Sequence, residues 1–170
     1  CMCIEKAAEI EVPGRAQYVR TIMDELQRIS SHLLAWACQC NDLGATTAFI
    51  YGMREREHVL DIFDKTCGGR LIVNQNVVGG IMFDIYPDFR KDVNVFIPYM
   101  RKRLKEYDDF FSHNPIALGR MKHIGYLSRE DAISYGVTGP AGRASGWSCD
   151  VRKYKPYALY DRVEFNEVMR

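Results

Sequence analysis

Residues 15–40 read RAQYVRTIMDELQRISSHLLAWACQC, and this stretch decides the fold. Its apolar residues Val19, Ile22, Met23, Leu26, Ile29, Leu33 and Ala37 recur at intervals of three and four. That is the period of one face of an α-helix, held over about seven turns. A single apolar stripe of that length is stable only when another element covers it. Asn41-Asp42-Leu43-Gly44 then reads as a helix stop, with Gly44 free to take the left-handed cap.

The flanking sequence supplies partners for the stripe. Ile50–Thr66 predicts a second helix, ending at Gly68-Gly69. Leu71–Ile85 is rich in β-branched residues and broken by Gly79-Gly80, so it reads as short strand or irregular structure. Asp88 opens another long helix, in which Val93, Ile97, Met100, Leu104, Tyr107 and Phe111 form a seam that requires a facing helix. Pro98 lies inside it and predicts a kink or break near Asn94, because the proline ring crowds that carbonyl and offers it no N–H. Asn114-Pro115 ends the pattern.

Lys122–Leu127 reads as a short strand. Ser128-Arg129-Glu130-Asp131 has the form of a capping box opening a short helix that closes at Gly136. From there to Arg152 the chain is punctuated by Gly136, Gly139, Gly142 and Gly146, which favours a tight packing loop. The expected fold class is mainly α: a helical bundle over residues 15–121 and a small irregular β-containing flank over residues 122–170.

Composition narrows the function. With 170 residues, 47% hydrophobic and 26% charged, the chain can build a core, and its formal net charge of +1 gives no electrostatic case for nucleic acid. The uncharged stretch Leu71–Phe83 is far too short to span a bilayer, so work at a membrane would require docking on another subunit. The chain opens at Cys1 and closes at Arg170 in a still-patterned segment, which predicts a fragment of a longer polypeptide. Cys1/Cys3 and Cys38/Cys40 are C-x-C pairs; on a helix, residues two apart point roughly 200° away from each other, so neither pair can grip one ion. Without zinc-type spacing, the cysteines read as reduced thiols and no metal site is expected.

Several polar residues invite a functional reading beside a structural one. Glu25, Arg28 and His32 share one side of the first helix, away from its apolar face; they form either a solvated face with a local ion pair or a contact surface for a partner. Arg56 projects into the stripe of Gly52, Val59, Leu60, Phe63 and Cys67, where a guanidinium needs a core ion pair or a polarised pocket. Asp42 ends a helix whose dipole disfavours negative charge, so a specific hydrogen-bond partner is expected for it; a carboxylate held in this way could orient a histidine or help deliver a proton. The loop from Gly139 to Lys153 carries Arg143, Arg152 and Lys153 but matches no nucleotide-binding fingerprint.

The order of motifs reaches further than any one of them. VPGRAQYVRTIMDELQRISSHLL, DLGATTAFIYGMREREHVLDIFDKTCGGR, NVVGGIMFDI, YGVTGPAGRASG and DVRKYKPYALYD follow one another. In this succession the chain resembles the D-type subunit of complex I (the 49 kDa, quinone-site subunit) and the large subunit of the related energy-converting [NiFe] hydrogenases. The resemblance implies a hydrogenase large-subunit-like bundle docked on an iron–sulfur partner subunit and on membrane-arm subunits, peripheral to the cytoplasmic face of the cell membrane. It also implies quinone as substrate, a neighbouring iron–sulfur cluster held by that partner, NAD at the level of the whole complex, and coupling to proton or sodium pumping.

On the matching positions, Asp42 corresponds to an aspartate that hydrogen-bonds the quinone-site histidine. Arg56, Glu57 and Arg143 become quinone-site or cluster-facing candidates, and Glu25, Arg28, His32, Asp150 and Arg152 subunit-interface candidates. The family's H-R-G motif and quinone tyrosine would lie upstream of Cys1. Two departures stand out: Ile72 where the complex I pattern has a histidine, and Val77 or Val78 where it has an arginine. NVVGGI and GPAGRASG are closer to the hydrogenase branch, whose nickel–iron centre needs paired C-x-x-C motifs outside this chain. A non-catalytic helical scaffold is a third reading.

Overall fold

The computed structural model describes residues 1–165. Two long helices form its spine: α2 (Gly14–Asp42) and α3 (Thr46–Cys67), joined by a three-residue turn. A short α1 (Met2–Ala7), unannounced by any periodicity, precedes them. After α3 come the two-residue strands β1 (Asn76–Val77) and β2 (Gly80–Ile81), paired antiparallel with Asn76 opposite Ile81. Then follow α4 (Phe89–Tyr107), which runs into a π-helical turn over Asp108–Ser112, and α5 (Pro115–Met121). The remaining elements are α6 (Arg129–Ser134), α7 (Gly139–Ala144) and α8 (Val151–Tyr154).

The chain divides into two compact units, residues 1–122 and 123–170. In the first, the stripe read from the sequence is the core: Val19, Met23, Leu26 and Leu33 of α2 meet Val59, Leu60, Ile62 and Phe63 of α3, with Phe89, Phe96, Met100 and Tyr107 of α4. Each such fully buried side chain contributes about 1.5–3 kcal/mol by removal from water. Gly52 sets the approach of α2 to α3, since a Cβ there would stand 2.8 Å from the Ala37 Cβ and 3.2 Å from the Leu33 carbonyl oxygen. The α2–α3 turn closes as expected: Gly44 has φ +87, and the Ala45 N–H reaches back to the Cys40 carbonyl at 2.8 Å.

A buried ion pair ties the hairpin to the spine. Arg20 donates from Nη1 and Nη2 to Glu5 at 3.0 and 2.7 Å, and from Nη2 to the Val77 and Gly80 carbonyls at 2.7 Å each. Glu5 also accepts from the Gly79 N–H at 2.8 Å. Every polar group of this clamp therefore has a partner, which is what allows two charges to sit out of water.

Four expectations are corrected. Helix α4 is continuous through Pro98, because Pro98 and Asn94 are both exposed, so water can take the carbonyl that proline leaves unmet. Its seam is rotated: Phe89, Phe96, Met100 and Tyr107 are buried, whereas Ile97 and Leu104 are 41% and 53% exposed. Residues 122–127 form no strand; they follow α5 as turn and extended chain, with His123 and Gly125 at positive φ. Residues 139–144, expected as loop, form the short helix α7 with Pro140 in its first turn, where a missing N–H costs nothing. In the second unit Ser128 does cap α6, accepting from the Asp131 N–H at 3.0 Å.

Candidate functional site

Asp42 is the last residue of α2 and is exposed. Beside it, Arg120 of α5 donates through Nη1 to the Leu43 carbonyl at 2.7 Å, pinning the turn between α2 and α3 from outside. Among the described residues, no hydrogen bond or ion pair reaches the Asp42 carboxylate. The specific hydrogen-bond partner expected for it is not found among the described residues. What remains is an unneutralised negative charge at the negative end of a 29-residue helix, on a turn held in place by Gly44 and Arg120.

The charged residue that enters the core from Arg54-Glu55-Arg56-Glu57 is Glu55, wholly buried, rather than Arg56. The close contact at Gly52 sets the rotation of α3, and Glu55, Val59, Ile62, Phe63 and Thr66 follow it onto the buried face. Arg56 lies at the edge, half-buried, with its Nε out of water and without an acceptor. Glu57 is exposed and pairs with Arg70, which also holds Asp61 at 2.8 Å. No hydrogen bond or ion pair joins Asp42 to Arg56; the latter lies ten residues into α3, about 15 Å along the helix axis from its start.

Around Glu55 gathers a network shared by α3 and α4. Arg54 donates to its Oε1 from Nη2 at 2.5 Å and from Nε at 2.9 Å; Arg103 Nε stands 3.9 Å from the same oxygen. His58 Nε2 lies 3.9 Å from Oε2, which accepts no hydrogen bond. Tyr99 lies edge-on to His58 and under Arg103, its phenol held above the ordinary range by burial first and by hydrogen bonding toward Glu55 second. Tyr107 stacks on Trp36 with ring centres 4.1 Å apart and donates to the Tyr51 carbonyl at 3.2 Å. The result is a joint between two helices in which two guanidiniums and an imidazole surround one buried carboxylate, with one of its oxygens left over.

The other expected positions fall as follows. Glu25 and Arg28 form the local ion pair at 3.2 Å, both half-exposed, and His32 is exposed further along α2. In the second unit Asp150 is buried, caps α8 by accepting from the Arg152 N–H at 2.9 Å, and binds the Arg152 guanidinium at 2.7 Å. This pairing holds its carboxyl down at about 2, with Arg143 of α7 adding a smaller pull in the same direction. Burial pushes the Cys40 thiol up to about 11, so this cysteine is a core residue and not a nucleophile. Sequence reasoning passed over Glu5, Arg20, Glu55 and Arg120. Arg20 was detectable, since it lies on the stripe of Ala16, Val19 and Met23; Arg120 carries no local signal at all.

Residues 42–170 match the family described as respiratory-chain NADH dehydrogenase, 49 Kd subunit. The chain belongs to that family. It is 62% identical over 169 residues to the C/D-type subunit of the NADH-quinone oxidoreductase of Bacteroides thetaiotaomicron, covering 99% of this chain and 32% of the relative. It is 42% identical over 166 residues to the D-type subunit of the NADH-quinone oxidoreductase of Bacillus cereus, covering 98% and 45%. It thus spans a third to under a half of the curated relatives it matches. Among solved structures it is similar to a chain of a membrane-bound sulfane sulfur reductase, an archaeal respiratory membrane complex. The TM-score is 0.91 at 32% identity, over 96% of this chain and 44% of that one. That likeness fits the mainly helical, hydrogenase-like fold expected from the motifs. Among the described residues no helix is long and apolar enough to cross a membrane.

Proposed function

We infer that this chain is the central part of a D-type subunit that walls the quinone-reduction site of a membrane-associated respiratory oxidoreductase. In this reading a partner subunit's iron–sulfur cluster supplies the electrons, and the whole complex, fed by NADH or another donor, couples them to ion pumping. The subunit sits peripherally on the cytoplasmic side, against the membrane arm. The observation that carries the proposal is the Asp42 carboxylate: exposed, opposed by its own helix dipole, rigidly presented, and without a donor among the described residues.

A carboxylate so placed serves a donor from outside the chain. Accepting the N–H of a histidine, it fixes the tautomer and favours the imidazolium, which can then give a proton to a quinone oxygen as electrons arrive. Arg56, with its Nε lacking an acceptor, offers a cation at the edge of the same helix pair. Glu57 and Arg143 are the weaker site candidates. Glu25, Arg28, His32, Asp150 and Arg152 are candidates for contact with neighbouring subunits.

The test is Asp42→Asn in the intact complex. Quinone-reductase turnover should fall at least tenfold and its pH profile should shift, while reduction of an artificial acceptor upstream and the thermal stability of the complex stay unchanged. Unaltered quinone turnover would refute the role of Asp42.

A second reading is favoured by one surface. Where the complex I pattern has a histidine and an arginine, this chain presents Ile72 at 78% exposure and either Val77, half-buried, or Val78 at 45%. Without that titratable group and that cation near a cluster, a non-quinone acceptor, such as a sulfur species or the proton of a hydrogenase, becomes the alternative. Assaying the same membranes with a quinone, with polysulfide and for hydrogen evolution separates the three.

A further inference from the structure

A cavity of about 210 Å³ opens between α2, α3 and the segment leading into β1, lined by Asp24, Gln27, Phe63, Val73, Gln75 and Asn76 among others. It is small against the roughly 300–1,000 Å³ of a drug-sized ligand site, yet several times the roughly 30 Å³ share of one water. Its polar wall includes buried acceptors that no donor meets. Gln75 is 1% exposed, and its Nε2 is committed to the Phe83 carbonyl, so what it offers the cavity is Oε1, which has no donor. Asn76 also lines the cavity, and its Oδ1 is buried and likewise without a donor. Asp24 itself is half-buried, and burial raises its carboxyl above the ordinary value; Arg28 and Arg20 pull it down less strongly, and Glu25 pushes it up. A carboxylate and two unmet amide oxygens thus belong to the lining of one small cavity.

We propose that the Asp24–Gln75–Asn76 cavity is a binding site for a single cationic N–H donor group of the guanidinium class. A planar cation with several N–H groups can satisfy a carboxylate and two amide oxygens at once, while the apolar walls from Phe63 and Val73 shed water around it. A simple monovalent metal ion would meet the charge but not the directionality of the Gln75 amide, which is already fixed by its bond to the Phe83 carbonyl. The site is independent of the quinone reading, since it lies on the hairpin side of α2 and uses none of the residues assigned there.

Binding is linked to protons. With its folded pKa raised, Asp24 makes the folded chain less stable as pH rises and the carboxyl ionises; a cation in the cavity reverses that shift, so its affinity must grow with pH through the titration of Asp24. The experiment is a titration of the full chain with millimolar methylguanidinium, followed at the Asp24 carboxyl carbon and the Gln75 side-chain amide by NMR. Tetramethylammonium and sodium at equal ionic strength are the controls. Expected are saturable shifts with methylguanidinium alone, a lowered Asp24 titration midpoint, and binding at least tenfold weaker in Asp24→Asn. That variant should be no less stable than the parent, because it removes a desolvated charge, so lost binding cannot be ascribed to unfolding. Equal responses to sodium or tetramethylammonium, undiminished binding by Asp24→Asn, or no response at all would overturn the proposal. In the assembled complex, loss of the probe response identifies the natural occupant as a basic side chain of a partner; a retained response identifies a free small cation.

Discussion

At the scale of single residues, the molecule keeps its charges in two different ways. Glu5 is fully provided with donors by Arg20 and the Gly79 N–H, and these hold its carboxyl down at about 2 against an ordinary 4.5. A depressed carboxyl stabilises the fold above its unfolded pKa and loses that contribution as pH falls through the folded one. Between about pH 4.5 and 2, the Glu5→Gln variant should therefore show a shallower fall of its urea midpoint than the parent. Asp150, also held down at about 2, keeps part of the acid slope in both proteins. A steeper slope in Glu5→Gln would contradict the clamp. Glu55 is the opposite case, a buried carboxylate with one oxygen unmet, and Asp42 carries its charge in the open with no internal partner. Polar groups that a fold leaves unmet are where a partner or substrate has something to add.

Elements are set by close approach as much as by periodicity. Gly52 lets α2 and α3 meet where a side chain would not fit, and that contact fixes the rotation of α3 and with it the burial of Glu55. Alanine is normally the better helix residue by about 1 kcal/mol. Gly119 in α5 has open space around its missing Cβ, so Gly119→Ala should gain about 0.5–1 kcal/mol. Gly52→Ala should instead lose about 1–3 kcal/mol, since the new methyl would stand 2.8 Å from Ala37 Cβ. Denaturant midpoints with unchanged slopes check both signs, and equal gains would mean that the helices are not in that contact. The rotated seam of α4 has the same origin. Its apolar row was legible in the sequence, but which of two adjacent rows would face α3 depended on how Arg103 and Tyr99 met Glu55.

At the scale of the whole molecule, the long apolar core lies in the unit of residues 1–122, while the described residues of the second unit bury few large side chains, Leu159 and Tyr160 chief among them. Amide exchange should be slowest in α2, α3 and α4 and faster throughout α6, α7 and α8. Equal protection in both units would contradict this division of the core. Exposed Leu71, Ile72, Met82 and Phe83 around the hairpin are apolar surface that suits one member of a larger assembly. The sequence by itself determined the helical class, the presence of α2 and α3, the Gly44 stop, the Ser128 cap and the family, because each depends on local spacing or on the order of motifs. Only the tertiary structure decided that Glu55 and not Arg56 is buried, that Arg20 clamps Glu5 across the hairpin, and that Arg120 steadies the turn bearing Asp42. Those outcomes depend on helix rotation and on contacts between residues 15 to 77 positions apart, which no local pattern encodes.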